Sequence, residues 1–544
     1  MFMLNIRHIL ERVRLYFGKK EIVSRTDFGI YRYTYGDMYR RVCRLANALN
    51  MIGIKKGDRI ASIAWNTHRH LELHFAVPMT GCVLHTVNLR YTSEEIVYTI
   101  NKARDRVLFI DQDQVPLLKK IYGGLESVEA IVVMGDGKPE IEGLGGIKIY
   151  WYEDLLERSE DRYDFPDLDE NTPAVMCFTS GTTGMPKGVV YTHRRIFLRS
   201  LASCLVDTYG ISERDVIMHV VPMFHISSWF MPYAATLVGS KQVLPGPRPR
   251  PWDLYDLIKN EGVTVSDGAP TIWIDFLNYV RTHGKREEIA SLKRLIIGGS
   301  APPKALIKAY KEELGVDLLH AWGMTETYDS AVAFVRPKSY MDSLPYDEKI
   351  SLVSKQGLPF PGIEVMIVDE KGNALPWDGK SMGELLIRGA WVVDEYFKDP
   401  EATKRSFAGG WLRTGDLAVI DGEGYIEIVD RIKDVIKSGG EWISSVKIEN
   451  EAMAHPAVLE ATAIAVPHPR WGERPLLIVK LRPEFRDRIS KEDILGFLSE
   501  RLPKWWVPND LVFVDEIPKT GTGKFDKKTL RNMFRGFYDQ HTQP

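Results

Sequence analysis

FTSGTTGMPKG, the segment from Phe178 to Gly188, directly follows the apolar run Ala174–Phe178. The apolar run predicts a buried strand, and the segment after it predicts a loop that binds phosphate groups. Glycines let backbone N–H groups approach an anion closely, while hydroxyl groups and the ammonium of Lys187 add further donors. The glycines and hydroxyl residues of this loop are Thr179, Ser180, Gly181, Thr182, Thr183 and Gly184. The spacing fits neither a Walker A loop nor the GxGxxG dinucleotide fingerprint.

Apolar runs of strand length alternate with longer amphipathic segments from about residue 30 to residue 430. This alternation indicates βαβ units and mainly parallel sheet. Examples of these runs are Val107–Ile110, Ala130–Met134, Val216–Val221, Val263–Ser266, Leu292–Ile297 and Val316–Leu319. Several runs lead into clusters of Gly, Ser, Thr or His. Because open α/β sheets bind ligands outside the carboxyl ends of their strands, we expect these clusters to converge.

After residue 380 the pattern changes to that of a β-rich part followed by a smaller unit. Leu417–Ile420 and Tyr425–Val429 flank a turn with two glycines, which indicates a β-hairpin. Beyond it the chain has its own alternation of apolar runs and a helical segment. We therefore predict an α/β protein whose large N-terminal domain, residues 1–430, combines mainly parallel sheets and flanking helices with the β-rich part. A hinge at residues 431–433 would join it to a small mobile α+β C-terminal domain, residues 434–544.

The composition excludes several classes of protein. The 544 residues include 71 Lys and Arg against 73 Asp and Glu, a net charge of −2, so no basic field favours nucleic acid. The four cysteines lack the spacing of a metal site or a disulfide framework, which indicates thiols in a reducing cytoplasm. Arg7 and Glu11 interrupt the N-terminal apolar residues, so we expect no signal peptide. Val216–Ser240 has no charged residue, but its prolines and histidines favour a buried strand, loop and helix over a membrane span.

The loop after Phe178 closely resembles the phosphate loop of the adenylate-forming enzymes, which include acyl-CoA synthetases, luciferases and peptide-synthetase adenylation domains. Further motifs of that family follow in its order, so the resemblance covers nearly the whole chain. These motifs are GGSAPP (298–303), HAWGMTET (320–327), TGD (414–416), IKSGGEWIS (436–444) and PKTGTGKFDKKTLR (518–531). The resemblance implies ATP, Mg²⁺ and coenzyme A as the molecules that the chain uses.

By this resemblance, the nucleotide contacts come from the phosphate loop, from the motifs GGSAPP, HAWGMTET and TGD, and from Arg431. Trp322 would stack on adenine, and Thr325 would reach the α-phosphate. Glu326 would hold Mg²⁺ with Thr179 as the second contact, a donor set that suits a hard cation together with phosphate oxygens. Asp416 would accept from both ribose hydroxyls, with Arg431 beside it. The remaining nucleotide contacts would be Gly299, Ser300, Ala301, Pro302, His320, Ala321, Gly323 and Met324.

The resemblance assigns three functions to the C-terminal part of the chain. Lys524, in a Gly-rich loop before a basic helix, would bridge the attacking carboxylate and the α-phosphate. Lys433 would occupy the hinge. Lys437 and Gly440 would belong to the face that swings inward for thioester formation and would lie near the pantetheine of CoA. Taken alone, a lysine in a basic patch is more often a solvated surface residue.

The acyl group is predicted to bind along Val220–Arg248, which is most similar to the medium- and long-chain fatty acyl-CoA synthetases. His225 would lie beside the acyl group and the thiol channel, although a lone histidine is more often structural. Trp229 falls where some long-chain relatives have a gating tryptophan, and an ordinary core tryptophan is an equal alternative. A charge-free wall suits an alkyl chain, because apolar pockets bind such chains by burying their surface.

We therefore expect an AMP-forming carboxylate–CoA ligase with a medium-to-long-chain fatty acid as its favoured substrate. Acid and ATP would give acyl-AMP and pyrophosphate, and the thiol of CoA would then give acyl-CoA and AMP. The alternatives are a short, hydroxylated or aromatic acid, transfer of the acyl group to a carrier protein, a P-loop switch, and a lipid-binding scaffold without activity. The expected location is the cytoplasm. Peripheral membrane contact and a homodimer, to which Ile6–Phe17 would contribute, both stay open.

Overall fold

The computed structural model describes residues 2–139, 141, 143–179, 185–333, 336–486, 488–519 and 525–538. Within them, two large sheets, one antiparallel sheet and a C-terminal sheet form the framework. The mixed α/β architecture with mainly parallel sheets, a β-rich part and a separate C-terminal sheet confirms the predicted fold class. The predicted boundaries at residues 430 and 434 stay a prediction.

The first large sheet has nine strands, and its centre is parallel. In spatial order the strands are β16 (Leu358–Pro359), β15 (Asp329–Ala333), β14 (Asp317–Met324), β13 (Arg294–Ile297), β12 (Val265–Gly268), β10 (Val216–Met218), β11 (Lys241–Leu244), β1 (Glu21–Thr26) and β2 (Gly29–Thr34). β10 is shorter than the apolar run Val216–Val221. Beyond Met218, the N–H of Val221 donates to the buried Asp267 carboxylate at 2.7 Å. This N–H is therefore not available for the backbone hydrogen bond that would prolong the strand.

The second large sheet has seven strands and is parallel except for its last pair. In spatial order they are β7 (Lys148–Trp151), β6 (Ala130–Met134), β5 (Val107–Asp111), β3 (Arg59–Ile63), β4 (Val83–Thr86), β8 (Pro173–Thr179) and β9 (Lys187–Thr192). β8 and β9 are antiparallel and enclose the predicted phosphate loop. The loop therefore begins at the carboxyl end of a buried strand, as its sequence predicts.

The two remaining sheets are smaller. The antiparallel sheet consists of β17 (Ile363–Val368), β18 (Gly383–Gly389), β19 (Phe407–Ala408), β20 (Trp411–Ile420) and β21 (Ile426–Arg431), and the β20–β21 pair is the predicted hairpin. The C-terminal sheet consists of β22 (Ile436–Ser438), β23 (Glu441–Ile443), β24 (Val458–His468), β25 (Gly472–Leu481) and β26 (Asp510–Phe513). The C-terminal sheet has an apolar core of its own, around Ile436, Ile448 and Leu477.

Helices cover the faces of these sheets, and several of them begin where the sequence supplies a capping box, for example at Thr34 and Thr92. The helices are α1 (Ile6–Phe17), α2 (Tyr35–Met51), α3 (His68–Met79), α4 (Ser93–Ala103), α5 (Val115–Ile121), α6 (Tyr152–Glu157), α7 (His193–Cys204), the single turn α8 (Ile226–Trp229), α9 (Met231–Val238), α10 (Pro251–Glu261), α11 (Pro270–His283), α12 (Lys304–Ala309), α13 (Tyr346–Val353), α14 (Pro400–Ser406), α15 (Ser445–Met453), α16 (Lys491–Ser499) and α17 (Lys527–Met533). Among the residues described, no helix combines the length and the apolar character needed to cross a bilayer. Val216–Ser240 forms the predicted buried strand, turn and helix.

A buried network of charged side chains joins α2, α3 and α6. The Glu72 side chain is fully buried and accepts from Arg41 Nε at 2.8 Å and from the Tyr152 hydroxyl at 2.6 Å. Arg41 also pairs with Glu153 at 2.9 Å, and Glu153 pairs with Arg69 at 2.7 Å. Because each buried charge has a charged or hydroxyl partner, the network is stable only while it stays complete.

Glu72→Gln should lower the free energy of unfolding of the protein by about 3 kcal/mol, since the Arg41 guanidinium loses a buried counter-charge. Urea denaturation followed by Trp fluorescence measures the change. Glu126→Gln, which neutralises an exposed carboxylate in a loop, should change it by no more than about 0.5 kcal/mol. Equal denaturation midpoints for the two variants would contradict a stabilising function of the network.

Candidate nucleotide and acyl site

The carboxyl ends of β8 and β14 bring the two strongest motifs together. β8 ends at Thr179, and β14 ends at Met324, where the turn Thr325–Thr327 begins. The hydroxyl of Tyr191, on β9, donates to the Thr325 carbonyl oxygen at 2.9 Å. A side chain of the strand that follows the phosphate loop is therefore hydrogen-bonded to the backbone of the second motif, so these two motifs lie together as the sequence predicts.

Part of the predicted site lies outside the described residues. These predicted contacts are Ser180, Gly181, Thr182, Thr183, Gly184 and Lys524. The two described ends of the phosphate loop are in contact, because Lys187 N–H donates to Thr179 Oγ1 at 3.4 Å. The Lys187 ammonium lies 4.6 Å from the centre of the Tyr396 ring. Lys187 is thus positioned at the mouth of the loop.

Glu326 is a buried carboxylate between two cationic residues. Its Oε1 accepts from the Tyr396 hydroxyl at 2.5 Å. Burial raises the pKa of this carboxyl, while the Tyr396 hydrogen bond and the nearby charges of Arg431 and Lys187 act in the opposite direction. Tyr396 was not among the residues predicted from the sequence, because a single tyrosine in DEYFKDP carries no motif signal.

The carboxylate of Glu326 fits a magnesium contact made jointly with a phosphate. No cluster of three or more His, Cys, Asp or Glu side chains suited to a metal is found within the described ranges. Mg²⁺ is commonly held by one or two carboxylates together with substrate phosphates. One buried carboxylate next to a phosphate loop is therefore the arrangement expected for a cation that arrives with a nucleotide.

Three predicted adenine and ribose contacts lie together, one on β14 and two on the paired strands β20 and β21. The indole N–H of Trp322 donates to Asp416 Oδ2 at 2.9 Å, and Arg431 Nε lies 2.6 Å from Asp416 Oδ1. Asp416 and Arg431 are direct partners in the β20–β21 register. The Asp416 side chain is almost completely buried, whereas that of Arg431 is 39% exposed. The cluster thus combines a planar ring, a carboxylate and a guanidinium on one side of the site.

The loop that follows β13 is open at the position predicted to face adenine. Gly299 has a φ of +85°, which favours glycine, and no atom lies within 4 Å of the place where a Cβ would be. Ser300 is exposed, whereas Ala301 and Pro302 are progressively buried. His320 is buried and its Nδ1 lies 3.0 Å from the Ser354 carbonyl oxygen, and burial lowers its pKa to about 4. His320 is therefore a neutral ring at neutral pH, and its hydrogen bond connects the start of the motif to the backbone at Ser354.

The remaining residues of this motif differ in exposure. Ala321 is buried, while Gly323 and Met324 are partly exposed at the end of β14. Thr325 is buried, and its carbonyl oxygen is already bonded to Tyr191. Trp322, Gly323 and Met324 are thus the partly exposed residues of HAWGMTET, whereas the residues on either side of them are buried.

The predicted acyl residues lie on a left-handed turn. Five consecutive residues from Ile226 to Phe230 have φ between +47° and +58°. A left-handed turn costs roughly 1–2 kcal/mol per non-glycine residue, so the surrounding packing must impose it. His225 precedes the turn and is partly exposed, and Trp229 is buried with its ring 3.0 Å from where a Cβ on Gly298 would lie. Trp229 therefore packs directly against the loop predicted to face adenine.

The residues on either side of the loop that carries Lys524 make ion pairs. Before the loop, Lys519 Nζ donates to Glu460 Oε1, on β24, at 2.5 Å. On the other side, Lys527 Nζ pairs with Glu449 at 2.8 Å and donates to Ser445 Oγ at 2.7 Å. The segment between these two anchors lies outside the described part of the chain.

The predicted hinge and thioester residues occupy the start of the C-terminal sheet. Burial lowers the pKa of Lys433. Lys437, on β22, lies with its ammonium 4.9 Å from the centre of the Trp442 ring. Gly440, at the β22–β23 turn, has a φ of +87° and open space at its Cβ position. Their functions in the hinge and in CoA binding stay predictions.

Family models and full-length relatives match the chain. A family model described as AMP-binding enzyme matches residues 11–397, and one described as AMP-binding enzyme C-terminal domain matches residues 447–524. The chain is 45% identical over 539 residues to a long-chain-fatty-acid–CoA ligase of Thermus thermophilus. The aligned region covers 98% of this chain and 96% of the relative. It is 43% identical to a 3-methylmercaptopropionyl-CoA ligase of Ruegeria lacuscaerulensis, with 97% of each chain covered.

A third relative and a solved structure extend the comparison. A medium-chain-fatty-acid–CoA ligase of Ectopseudomonas oleovorans is 41% identical, with 97% of this chain and 96% of the relative covered. The crystal structure of the anthranilate CoA ligase AuaEII in complex with anthranoyl-AMP superposes with a TM-score of 0.85 at 26% identity, covering 97% of each chain.

Asp416→Asn should weaken the binding of AMP about 10- to 100-fold, since a charged acceptor for the ribose hydroxyls is lost. Isothermal titration calorimetry measures this affinity directly. Glu427→Gln, on the exposed face of β21, serves as the control and should leave the affinity unchanged. An Asp416→Asn variant that binds AMP as tightly as this control would exclude Asp416 from the ribose contact.

Proposed function

The chain belongs to the family of AMP-binding enzymes, and from this membership we propose which acid it activates and which residues act in each step. It is an AMP-forming CoA ligase that uses ATP, Mg²⁺ and coenzyme A. The observation that carries the residue assignment is that Trp322 and Arg431 both contact Asp416, and that the charge of Arg431 acts on the buried carboxyl of Glu326.

The first half-reaction joins the acid to the α-phosphate of ATP. A carboxylate oxygen attacks the α-phosphorus, acyl-AMP forms, and pyrophosphate leaves. The carboxylate is already ionised at neutral pH, because its unperturbed pKa is about 4–5, so no general base is needed. The difficulty is the approach of an anion to a triphosphate, and catalysis therefore depends on positioning and charge neutralisation.

The side chains divide this work between the two parts of the chain. Lys187 neutralises phosphate charge at the mouth of the loop, and Lys524 bridges the carboxylate and the α-phosphate. Thr325 contributes a contact to the α-phosphate. Glu326 and Thr179 hold Mg²⁺, which when bound neutralises phosphate charge and favours departure of pyrophosphate. Lys433 serves as the hinge that lets Lys524 approach and leave.

The second half-reaction transfers the acyl group to the thiol of CoA. The thiol pKa is about 8.5, so a small fraction is already thiolate at neutral pH. The thiolate attacks the acyl carbonyl carbon, and AMP leaves with the bonding electrons. Lys437 and Gly440 lie along the pantetheine path in this proposal. His225 contacts the acyl group or the thiol and shapes the channel sterically rather than acting as a base.

The acid is a medium-to-long-chain fatty acid. Support comes from the charge-free stretch that carries Trp229 and from two relatives, 45% and 41% identical, that are named as fatty-acid ligases. A buried CH₂ group contributes about 0.8 kcal/mol, so the depth of an apolar pocket selects chain length.

A shorter or more polar acid is the second candidate, and one observation favours it. The hydroxyl groups of Ser227 and Ser228 are buried in the left-handed turn and have no hydrogen-bond partner within the described residues. Buried hydroxyls are normally paired, so a polar group of a ligand would explain them. The 3-methylmercaptopropionyl-CoA ligase shows that a relative of similar identity is named for such an acid.

The expected location of the enzyme is the cytoplasm. All four cysteines, Cys43, Cys82, Cys177 and Cys204, are free thiols, which suits a reducing compartment. Burial raises the pKa of Cys177 to about 12, so this thiol, two residues before Thr179, stays protonated and unreactive. Peripheral membrane contact and a homodimer through the N-terminal domain stay open.

Lys524→Ala should slow acyl-AMP formation by about 10²–10³-fold, since an electrostatic contact to the α-phosphate is lost. Thioester formation from supplied acyl-AMP should be retained. Pyrophosphate release and acyl-CoA formation measure the two steps separately. Lys528→Ala, an exposed lysine of the following helix, is the matched control and should leave both rates unchanged. Equal loss of both half-reactions in Lys524→Ala would exclude the proposed function of this lysine.

Trp229→Ala should change the preference of the enzyme for chain length, because it removes the largest side chain of the buried turn beside Gly298. The measurement is pyrophosphate release, with and without CoA, over acids from acetate to stearate and including 3-hydroxy acids. Trp252→Ala, an exposed tryptophan of α10, is the control. An unchanged profile would contradict a gating function, and a wild-type preference for short or hydroxylated acids would favour the second candidate.

A further inference from the structure

Tyr396 lies where the phosphate-loop strand and the Glu326 turn meet. Its hydroxyl donates to Glu326 Oε1 at 2.5 Å, and the Lys187 ammonium lies 4.6 Å from the centre of its ring. Tyr396 itself is only 5% exposed. One side chain therefore contacts both the carboxylate proposed to hold Mg²⁺ and the lysine proposed to neutralise phosphate.

The backbone around Tyr396 is held independently of any ligand. Its own N–H donates to Thr403 Oγ1 at 2.9 Å, and the next N–H, of Phe397, donates to the Gly188 carbonyl oxygen at 2.8 Å. The N–H of Val393 donates to the Glu326 carbonyl oxygen at 2.9 Å. The segment from Val393 to Phe397 thus bridges β9 and the Glu326 turn, and the tyrosine ring is fixed before a nucleotide binds.

Fixing the ring has a direct effect on the carboxylate. A buried carboxylate with one oxygen bonded to a hydroxyl has a defined orientation, which leaves its second oxygen for another ligand. Hydrogen-bond partners of metal-binding carboxylates orient them in this way, and the loss of such a partner typically costs 10- to 100-fold in metal affinity. The π-face of the ring also attracts the Lys187 ammonium and favours one position of a long, flexible side chain.

We propose that Tyr396 is a positioning residue that orients Glu326 toward Mg²⁺ through its hydroxyl and holds Lys187 at the phosphate loop through its ring. This inference rests on the proposed functions of Glu326 and Lys187. It adds a residue that neither the motifs nor the comparisons assign, and it separates the two contributions by chemistry: the hydroxyl acts on the metal, and the ring acts on the lysine.

Tyr396→Phe separates the two contributions, because it removes the hydroxyl and keeps the ring. The Mg²⁺ concentration that gives half-maximal pyrophosphate release should rise 10- to 100-fold, while the rate at saturating Mg²⁺ falls much less. Tyr396→Leu removes the ring as well, and its affinity for ATP should stay low even at saturating Mg²⁺. Formation of acyl-CoA from supplied acyl-AMP should be retained in both variants.

Tyr310→Phe is the matched control. Tyr310 is also buried and its hydroxyl donates to the Trp273 carbonyl oxygen at 2.6 Å, away from the site. Both phenylalanine variants lose one buried hydrogen bond, so both should melt at similarly reduced temperatures. Only Tyr396→Phe should change the Mg²⁺ dependence of ATP binding, measured by calorimetry without turnover. An unchanged Mg²⁺ dependence in Tyr396→Phe, or an equal change in Tyr310→Phe, would overturn the proposal.

Glu326→Gln distinguishes failure of this inference from failure of the proposed function. If Glu326→Gln raises the Mg²⁺ requirement, the double variant with Tyr396→Phe should raise it no further, because the hydroxyl acts through the carboxylate. Additive effects of the two substitutions would overturn the positioning by Tyr396 and leave the function of Glu326 intact. An unchanged Mg²⁺ requirement in Glu326→Gln would instead refute the metal contact itself, and with it the inference about the hydroxyl.

Discussion

The buried carboxylate of Glu326 is the constraint on which the rest of the site depends. Removing an anion from water is unfavourable, and burial raises the pKa of this group accordingly. The fold compensates with a hydroxyl donor and two nearby cations rather than with solvent. Each compensating group comes from a different segment: Lys187 from the phosphate loop, Tyr396 from the chain before α14, and Arg431 from the end of β21. The residues proposed to contact phosphate and ribose, Lys187 and Arg431, thus both stabilise the carboxylate proposed to hold the metal.

The left-handed turn from Ile226 to Phe230 is a second unfavourable feature that the surrounding packing must offset, because its backbone lies outside the low-energy regions. Five successive non-glycine residues in this region would cost several kcal/mol in isolation. Aromatic packing supplies the compensation, since the Phe230 ring stacks on those of Tyr328 and Tyr233 at 5.0 and 5.9 Å. Tyr328 follows the Glu326 turn directly, so the proposed acyl wall and the proposed metal contact share one packed cluster. A change of backbone in the left-handed turn would therefore disturb the packing of Tyr328.

Sequence reasoning identified the strands and motifs of this protein but not the contacts between them. Apolar runs predicted β5, β6 and β8 because a buried parallel strand needs a continuous run of apolar residues. The motif residues Trp322, Asp416 and Arg431 are predicted by resemblance. The pairing of β20 with β21 places Asp416 opposite Arg431, and the indole N–H of Trp322 joins them from another sheet. Tyr396 was missed, since its partners Glu326 and Lys187 are 70 and 209 positions away along the chain. The left-handed turn was also missed, because its residues contain no glycine and carry no turn signal.

Side chains on the two faces of β21 contact the proposed nucleotide site on one side and the C-terminal part of the chain on the other. Successive residues of a strand point to opposite faces, so Asp430 and Arg431 have different partners. Arg431 pairs with Asp416 on the ribose side, whereas Asp430 Oδ2 accepts from the N–H of Ser445 at 2.6 Å and from its hydroxyl at 2.7 Å. Ser445 in turn accepts from Lys527, three residues after Lys524. The strand that carries Arg431 is therefore hydrogen-bonded through Asp430 to the start of α15, which in turn is bonded to the start of α17. The pair Asp416–Arg431 lies entirely before the proposed hinge at Lys433, whereas the contact of Asp430 with Ser445 spans it. A rotation at the proposed hinge would therefore break the second contact and keep the first, so Lys524 would move relative to Lys187 while the ribose side stays in place.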